Sequence, residues 1–363
     1  MTSRHTTIAR AIARRAYHQP AIRNFYENTV RSLKSPVKKA SSYETIGTFV
    51  PDDGRKIRLL DGLRDDIKPN WREMVSPPAQ VELPGTAAIA AKSSRCRADV
   101  AEAVSFLSAH GLDLTAKDVL EIGCYDGVHG RHLSASSGSR VVSSDISAYY
   151  IRQRQDEDLN DQSRMKQQSS LDGLRARCAT WLDENLEGGE PVEFVEDNIS
   201  ESTLPDDRFD AIFSWEVLEH VADPGAAFQQ MHRILRPGGV CYHDYNPFFS
   251  FNGGHSLATL DFHWGHARLS ADEFDRYVDE LRPLESDIDK SFFHESLNRM
   301  SLSDVRRLAE EASLEVIALV PYIDQTQVDL LEPTTLGEVQ AHHESVTALD
   351  LISPRVVVVL RKP

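Results

Sequence analysis

The stretch Asp118-Val119-Leu120-Glu121-Ile122-Gly123-Cys124-Tyr125-Asp126-Gly127-Val128-His129-Gly130 decides how this chain is read. Val119 to Ile122 is a short apolar run of the kind that forms a strand covered on both faces, as in a parallel sheet. Gly123 and Gly127 follow, where the chain has to turn sharply and let a ligand approach its backbone. From Val128 onward the pattern is that of a helix, whose first amide groups are free to face an anion or a polar ligand. Strand, glycine loop and helix predict a nucleotide-type pocket.

The loop also bears on which nucleotide. The dinucleotide fingerprint, G-x-G-x-x-G, needs its second glycine so that a pyrophosphate can come close. That position is Tyr125 here, and its side chain would crowd a pyrophosphate. A ligand without phosphates, joining an amino acid to adenosine, fits the loop better. About eighteen residues on, Val141-Val142-Ser143-Ser144-Asp145-Ile146-Ser147 reads as a second strand ending in an acid, which at that spacing accepts hydrogen bonds from both ribose hydroxyls. Loop and acid together favour S-adenosylmethionine over a dinucleotide.

Working outward, Pro191 to Val195 reads as a third strand ending at Glu196-Asp197-Asn198, and Phe209 to Ser214 as a fourth. Val240-Cys241-Tyr242 is a fifth, with Leu314 to Pro321 and Arg355 to Arg361 as the last two. Helical periodicity fills the intervals: Arg95 to Ala109, with Val100, Val104 and Leu107 on one face, then two helices between Tyr149 and Asn185 divided near Ser169-Ser170. Another opens at Asp223-Pro224 and is stopped by the Pro237-Gly238-Gly239 run. A last helix spans Ser303 to Ala312. Seven strands alternating with helices predict an α/β fold with a doubly wound, mostly parallel sheet. Asn246 to Arg299 interrupts the alternation as the chain leaves the fifth strand, at the edge where such sheets bind ligands. This insertion is the candidate acceptor site.

Residues 118 to about 245 resemble class I S-adenosylmethionine-dependent methyltransferases of the type 11-like group. The matching pieces are Leu120 to Cys124, Asp145, Phe209 to Ser214, Val217-Leu218-Glu219-His220-Val221, and Leu235 to Gly239, in order and at family spacing. Tyr125 departs from the pattern, standing where the common loop has glycine. The resemblance implies a Rossmann-like methyltransferase fold, S-adenosylmethionine as cofactor, and methyl transfer as activity. It also implies that Asp197 accepts from the adenine amino group, which a carboxylate is suited to do. The cofactor-binding candidates are then Glu121, Gly123, Cys124, Tyr125, Asp126, Gly127, Asp145, Ile146, Asp197, Asn198 and Ser214. A shorter stretch, His255-Ser256-Leu257 through Trp264-Gly265-His266 with Asn298-Arg299, is similar to bacterial methyltransferases of surface-polysaccharide and other sugar pathways. It implies a small-molecule or glycan acceptor, with aromatic faces stacked on pyranose rings and His, Asn and Asp bonded to hydroxyls. The competing reading of the insertion is a packed structural cap.

Methyl transfer from a sulfonium is an in-line displacement, so positioning does most of the work. A hydroxyl acceptor gains from a general base within reach. His220, His243, Asp244 and His255 are the catalytic candidates, each with a structural hydrogen bond as its alternative. A helix starting at Glu216 would put Glu216, Glu219 and His220 on one face. That set suits a divalent cation, or simply caps and packs; no residue is assigned to a metal. The leading reading is O-methylation of a sugar or glycan intermediate. The alternatives are a lipid-like or quinone acceptor at a membrane surface, and an inactive cofactor-binding scaffold.

Composition sets the remaining bounds. The 363 residues carry a net charge of −16, which argues against general nucleic-acid binding. Cys96, Cys124, Cys178 and Cys241 have no metal or redox spacing and are expected reduced, in or near the core, which points to a reducing, cytoplasmic setting. No run approaches the roughly 20 apolar residues of a membrane span. Residues 1–40 form a basic arm in which nine Arg and Lys, from Arg4 to Lys39, face one acid, Glu27. The arm is read as a solvated or partner-docked helix, a peripheral membrane contact, or an organelle transit peptide. Residues 41–94, rich in turn formers, are read as an irregular lid or linker ahead of a methyltransferase domain over 95–363.

Overall fold

The computed structural model describes residues 37–69, 71–72, 83–146 and 161–363, and of 161–168 the backbone alone. Residues 1–36 of the basic arm therefore lie outside the described residues. The described chain opens with an antiparallel hairpin of β1 (Thr45–Phe49) and β2 (Ile57–Leu60), followed by the short helix α1 (Leu63–Ile67). Among its described residues, the 41–94 segment thus carries a hairpin and a short helix. Helix α2 (Thr86–Ala109) begins nine residues before the expected Arg95, and its buried Ile89, Cys96, Val100, Ala103 and Leu107 keep one helical stripe throughout.

The organising strand is β3 (Asp118–Ile122), followed by α3 (Val128–Ser137), β4 (Arg140–Asp145), α4 (Asp161–Asn185) and β5 (Glu193–Glu196). The two helices expected between Tyr149 and Asn185 are, from Asp161 on, one unbroken helix through Ser169 and Ser170. Two serines alone lower helix propensity too little to end it. Then come β6 (Phe209–Trp215), α5 (Pro224–Ile234) and β7 (Leu235–Tyr245). After β7 the insertion carries α6 (Ala271–Leu281) and α7 (Ser286–Glu295), before α8 (Leu302–Glu311), β8 (Glu315–Tyr322), α9 (Gln325–Leu330), α10 (Pro333–Gln340) and β9 (Arg355–Arg361).

The seven-stranded sheet has the order β5-β4-β3-β6-β7-β9-β8. All neighbours are parallel except β9, which lies antiparallel to both β7 and β8. Val356 to Leu360 of β9 are wholly buried, as a β-branched strand covered on both faces should be. One apolar layer joins the sheet to α2 and α3, and another joins it to α5 and α8. The chain runs outward through β3, β4 and β5, then returns to place β6 beside β3. That reversal opens a crevice at the carboxyl ends of β3 and β6.

A third apolar cluster lies apart from the sheet. It unites Phe49, Leu60 and Leu63 of the N-terminal segment with Phe248, Phe251, Trp264, Phe274 and Phe293 of the insertion. Leu330, Val339 and Leu351, from the connection between β8 and β9, complete it. Polar bonds tie the same three segments: Leu60 N donates to Asp261 O at 2.7 Å, Arg64 pairs with Glu285 at 2.9 Å, and Trp264 Nε1 donates to Leu351 O at 2.9 Å. The insertion is therefore part of a cap assembled from three distant stretches. The third stretch, between β8 and β9, has no counterpart in the reading of the sequence.

Candidate active site

The cofactor loop is built as its sequence dictates. Gly123 has a φ of +69°, and a Cβ there would overlap the Val217 side chain. A Cβ on Gly127, at φ +75°, would stand 2.5 Å from the Phe194 ring. Tyr125 adopts φ +48°, so a tyrosine takes the left-handed conformation that glycine ordinarily serves. Its N–H donates to Asp145 Oδ2 at 2.6 Å, while Arg175 Nε donates to its carbonyl at 2.8 Å. The ring points outward, 39% exposed, with Lys92 Nζ 5.0 Å from its centre. Lys92 and Arg175, which the sequence reading missed, come from α2 and α4 and hold the loop from outside. Nothing in their local sequence marks them.

Asp145, at the end of β4, is the hub of this edge. Besides the Tyr125 amide it accepts from Ile146 N at 2.8 Å, and its own carbonyl accepts from Asp197 N at 3.1 Å. Asp197 Oδ1 accepts from Thr203 N at 2.9 Å, while Oδ2 is buried and has no partner among the described residues. A buried carboxylate oxygen in that state is an acceptor placed for an incoming donor. Gly123, Tyr125, Gly127, Asp145, Ile146 and Asp197 are thus brought together around one crevice.

The other cofactor candidates are engaged in contacts within the protein. Glu121 lies under α3, accepting from Ser143 Oγ at 2.6 Å, and burial pushes its carboxyl up to about 7. It props the loop. Asp126 pairs with Lys92 at 2.5 Å and accepts from Val128 N at 3.3 Å, so it faces the helices α2 and α3. Cys124 is buried with its thiol pushed up by burial, and its amide donates to Ser144 O at 3.1 Å. Asn198 is exposed and caps the turn at Ser200. Ser214 is buried beside His243. All four cysteines are buried and free, as expected.

The four catalytic candidates separate into three places. His243 Nδ1 lies 2.8 Å from Ser214 Oγ on the α5 face of the sheet, fully buried, and burial lowers its pKa to about 3. Asp244 points to the opposite face, where Arg355 donates to both of its oxygens at 2.9 Å and also pairs with Glu102. The two side chains are held in opposite packed layers, as adjacent residues of a strand are. His220 and His255 instead meet, ring centres 5.0 Å apart and both against Phe292. His220 Nδ1 lies 2.6 Å from Ser296 O, which makes it the protonated nitrogen and leaves the lone pair on Nε2. Burial lowers both imidazoles below the ordinary histidine value, so both are neutral at pH 7.

Residues 216–220 do not start a helix. Glu216 has φ +56° and is exposed, and Leu218–His220 is a single 3₁₀ turn. Glu216 therefore leaves the expected face, bonding Asn246 Nδ2 at 3.3 Å. Glu219 turns inward and is joined by His255 in place of Glu216: one ligand atom from each of Glu219, His220 and His255 lies within 4.8 Å of the others. Asn298 braces the turn, its Nδ2 donating to Leu218 O at 2.6 Å and Val221 O at 2.9 Å. The insertion's aromatics are spent elsewhere. Phe248, Phe249, Phe251, Phe262 and Trp264 are buried in the cap, so they offer no face for a pyranose ring.

Comparison with known proteins points to methyltransferases. The family described as "Methyltransferase domain" matches residues 93–319. A protein of Mycolicibacterium smegmatis named a probable S-adenosylmethionine-dependent methyltransferase is 26% identical over 147 residues, 40% of this chain and 45% of that one. A ubiquinone biosynthesis O-methyltransferase of Xanthomonas oryzae is 29% identical over 131 residues, 36% of this chain and 44% of that one. The matched stretch thus spans less than half the length of these relatives. Among solved structures, an S-adenosylmethionine-dependent methyltransferase of Mesorhizobium loti is similar at 15% identity, covering 70% of this chain and 95% of that one, with a TM-score of 0.39. No helix among the described residues is long and apolar enough to cross a membrane.

Proposed function

The chain belongs to the S-adenosylmethionine-dependent methyltransferase family, and from that premise we propose that it O-methylates a hydroxylated acceptor, with a sugar or glycan intermediate as the acceptor class. The family's cofactor is S-adenosylmethionine. Gly123, Tyr125 and Gly127 would shape its bed, Asp145 would take the ribose hydroxyls, and the unpartnered Oδ2 of Asp197 would accept from the adenine amino group.

The observation that carries the reading is the place of the His220–His255 pair. Val217 packs on Gly123 of the cofactor loop, and the turn it opens delivers His220 three residues later against His255 from the insertion. Neutral imidazoles therefore stand beside the loop where a hydroxyl has to lose its proton as its oxygen attacks the methyl group. Exposed Glu216 and neighbouring Asn246 add hydrogen-bonding groups for a polar acceptor. With the insertion's aromatics buried, the sugar class rests on these polar groups and on the stretch from His255 to His266. The ubiquinone-pathway relative supports a second reading, a quinol acceptor.

The test is a screen of sugar, nucleotide-sugar and quinol acceptors with methyl-labelled S-adenosylmethionine and the full chain, preceded by calorimetry of cofactor binding. Label in a sugar is the expected result, and label in a quinol alone selects the second reading. Binding without transfer to any acceptor leaves the scaffold reading. Asp145→Ala should weaken cofactor binding about 100-fold, since two hydrogen bonds to a charged group and the loop tie are lost together. Unchanged affinity would remove Asp145 from the site.

A further inference from the structure

We propose that Glu219, His220 and His255 form a binding site for one divalent first-row transition-metal cation, of which Zn²⁺ is the type. The role given to that cation below rests on the O-methyltransfer reading; the site itself does not.

Three observations carry it. The first is convergence: three potential ligand atoms, from a turn after β6 and from the insertion some 35 residues later, lie within 4.8 Å of one another. Ligands at about 2.0–2.2 Å from a common ion stand somewhat closer together than this, so small side-chain rotations complete the set. The second is an unmet demand. Glu219 is 1% exposed, its Oε2 has no hydrogen-bond partner among the described residues, and the buried Nε2 of His255 has none either. Buried groups of this kind are normally paired or coordinate metals, because a bare polar group loses its hydration without replacement. The third is the support behind the ligands. Glu219 Oε1 accepts from Asn246 N at 3.2 Å, Ser296 O fixes the tautomer of His220, and Asn298 N donates to Glu219 O at 2.9 Å. Outer contacts that orient each ligand in this way are what metal sites require.

Two imidazoles and one carboxylate select the class of ion. Mg²⁺ and Ca²⁺ favour oxygen donors throughout, whereas imidazole suits first-row transition metals. Three protein ligands leave a coordination position open. In that position the acceptor's hydroxyl oxygen would bind and become more acidic. Its proton leaves to solvent, its lone pair forms the new O–CH₃ bond, and the electrons of the S–CH₃ bond return to sulfur. On this view the two imidazoles hold the ion, and the ion rather than either ring acidifies the hydroxyl.

The experiment uses the full chain after chelator treatment. Co²⁺ titration is followed by visible absorption and Zn²⁺ titration by calorimetry, with S-adenosylmethionine affinity measured in parallel. One saturable site with ligand-field bands is expected. Loss of an outer contact costs about 10–100-fold in metal affinity, so His255→Ala and Glu219→Gln, which remove ligands outright, should each cost at least about 100-fold. Retained S-adenosylmethionine affinity in both variants shows that the fold persists. No saturable binding by the parent, or unweakened binding by both variants, overturns the proposal. Metal binding without cofactor binding would keep the site and sink the methyltransferase reading instead.

Discussion

The cofactor edge of the sheet is set by successive strand ends, whereas the cap is packed together from three distant stretches. At the edge, each group that faces the crevice sits at or just past the end of a strand, and backbone-amide bonds such as Tyr125 N to Asp145 join one strand end to the next. Gly123 and Tyr125 follow β3, Asp145 ends β4, and Asp197 follows β5. In the cap, Phe49, Trp264 and Leu351 lie in one cluster though some 300 residues separate the first from the last. An edge of this kind is specified by backbone conformation and hydrogen bonds. The cap is specified by apolar volume, whose free energy scales with buried area and has little directional content.

The largest expected effect tests whether the two regions are energetically separate. Trp264 is nearly fully buried in the cap, wedged against Phe251 and His263, with its indole N–H bonded to Leu351 O. Trp264→Ala should destabilise the cap by about 3–5 kcal/mol. If the regions are separate, chemical denaturation of this variant acquires an early phase, while affinity for S-adenosylmethionine at low temperature stays as in the parent. A single transition with equally weakened cofactor binding would instead show one cooperative unit.

A smaller effect belongs to the sheet alone. The folded chain keeps His243 neutral down to about pH 3, while in the unfolded chain its pKa returns to about 6.5. Protons then bind the unfolded state preferentially, so the contribution of this residue is complete above pH 6.5 and is lost progressively as pH falls toward 3. Moving from pH 7 to pH 5 should cost the parent about 2 kcal/mol more than His243→Asn. Glu121, raised to about 7, changes in the opposite sense over the same range, but it is common to both chains and cancels in the difference. Equal losses in the two chains would show that water or a proton reaches His243 in the fold.

These contrasts also explain what could be read beforehand. The seven strands, the glycine loop and Asp145 were legible because a strand covered on both faces and a loop at its end leave contiguous signatures. The pairing of His220 with His255 was not, because it depends on where the insertion folds back. Reading Glu216, Glu219 and His220 as one helix face failed for a local reason: Glu216 takes a left-handed conformation and the next turn is 3₁₀. The aromatics from Phe248 to Trp264 looked like a sugar platform. Only the hairpin and the chain between β8 and β9, which bury them, show that they are core.

The smallest expected effect sharpens the account of the edge itself. Tyr125 holds a left-handed conformation that disfavours a side chain by roughly 1–2 kcal/mol, and its ring is mostly a surface group beneath Lys92. Tyr125→Gly removes that strain, but glycine gives back about 0.5–1 kcal/mol through the greater freedom of the unfolded chain. An exposed cation–π contact worth about 0.5 kcal/mol goes as well. The terms nearly cancel, so the melting curve should move little, with a net change within about 0.5 kcal/mol. Cofactor affinity should also hold, because the amide that donates to Asp145 remains. Gly123→Ala is the contrasting case, since its new methyl would meet Val217 in a conformation already unfavourable to it. If Tyr125→Gly instead loses cofactor affinity, the aromatic ring contacts the ligand directly. The tyrosine would then be a binding residue in its own right, rather than a tolerated substitute for glycine.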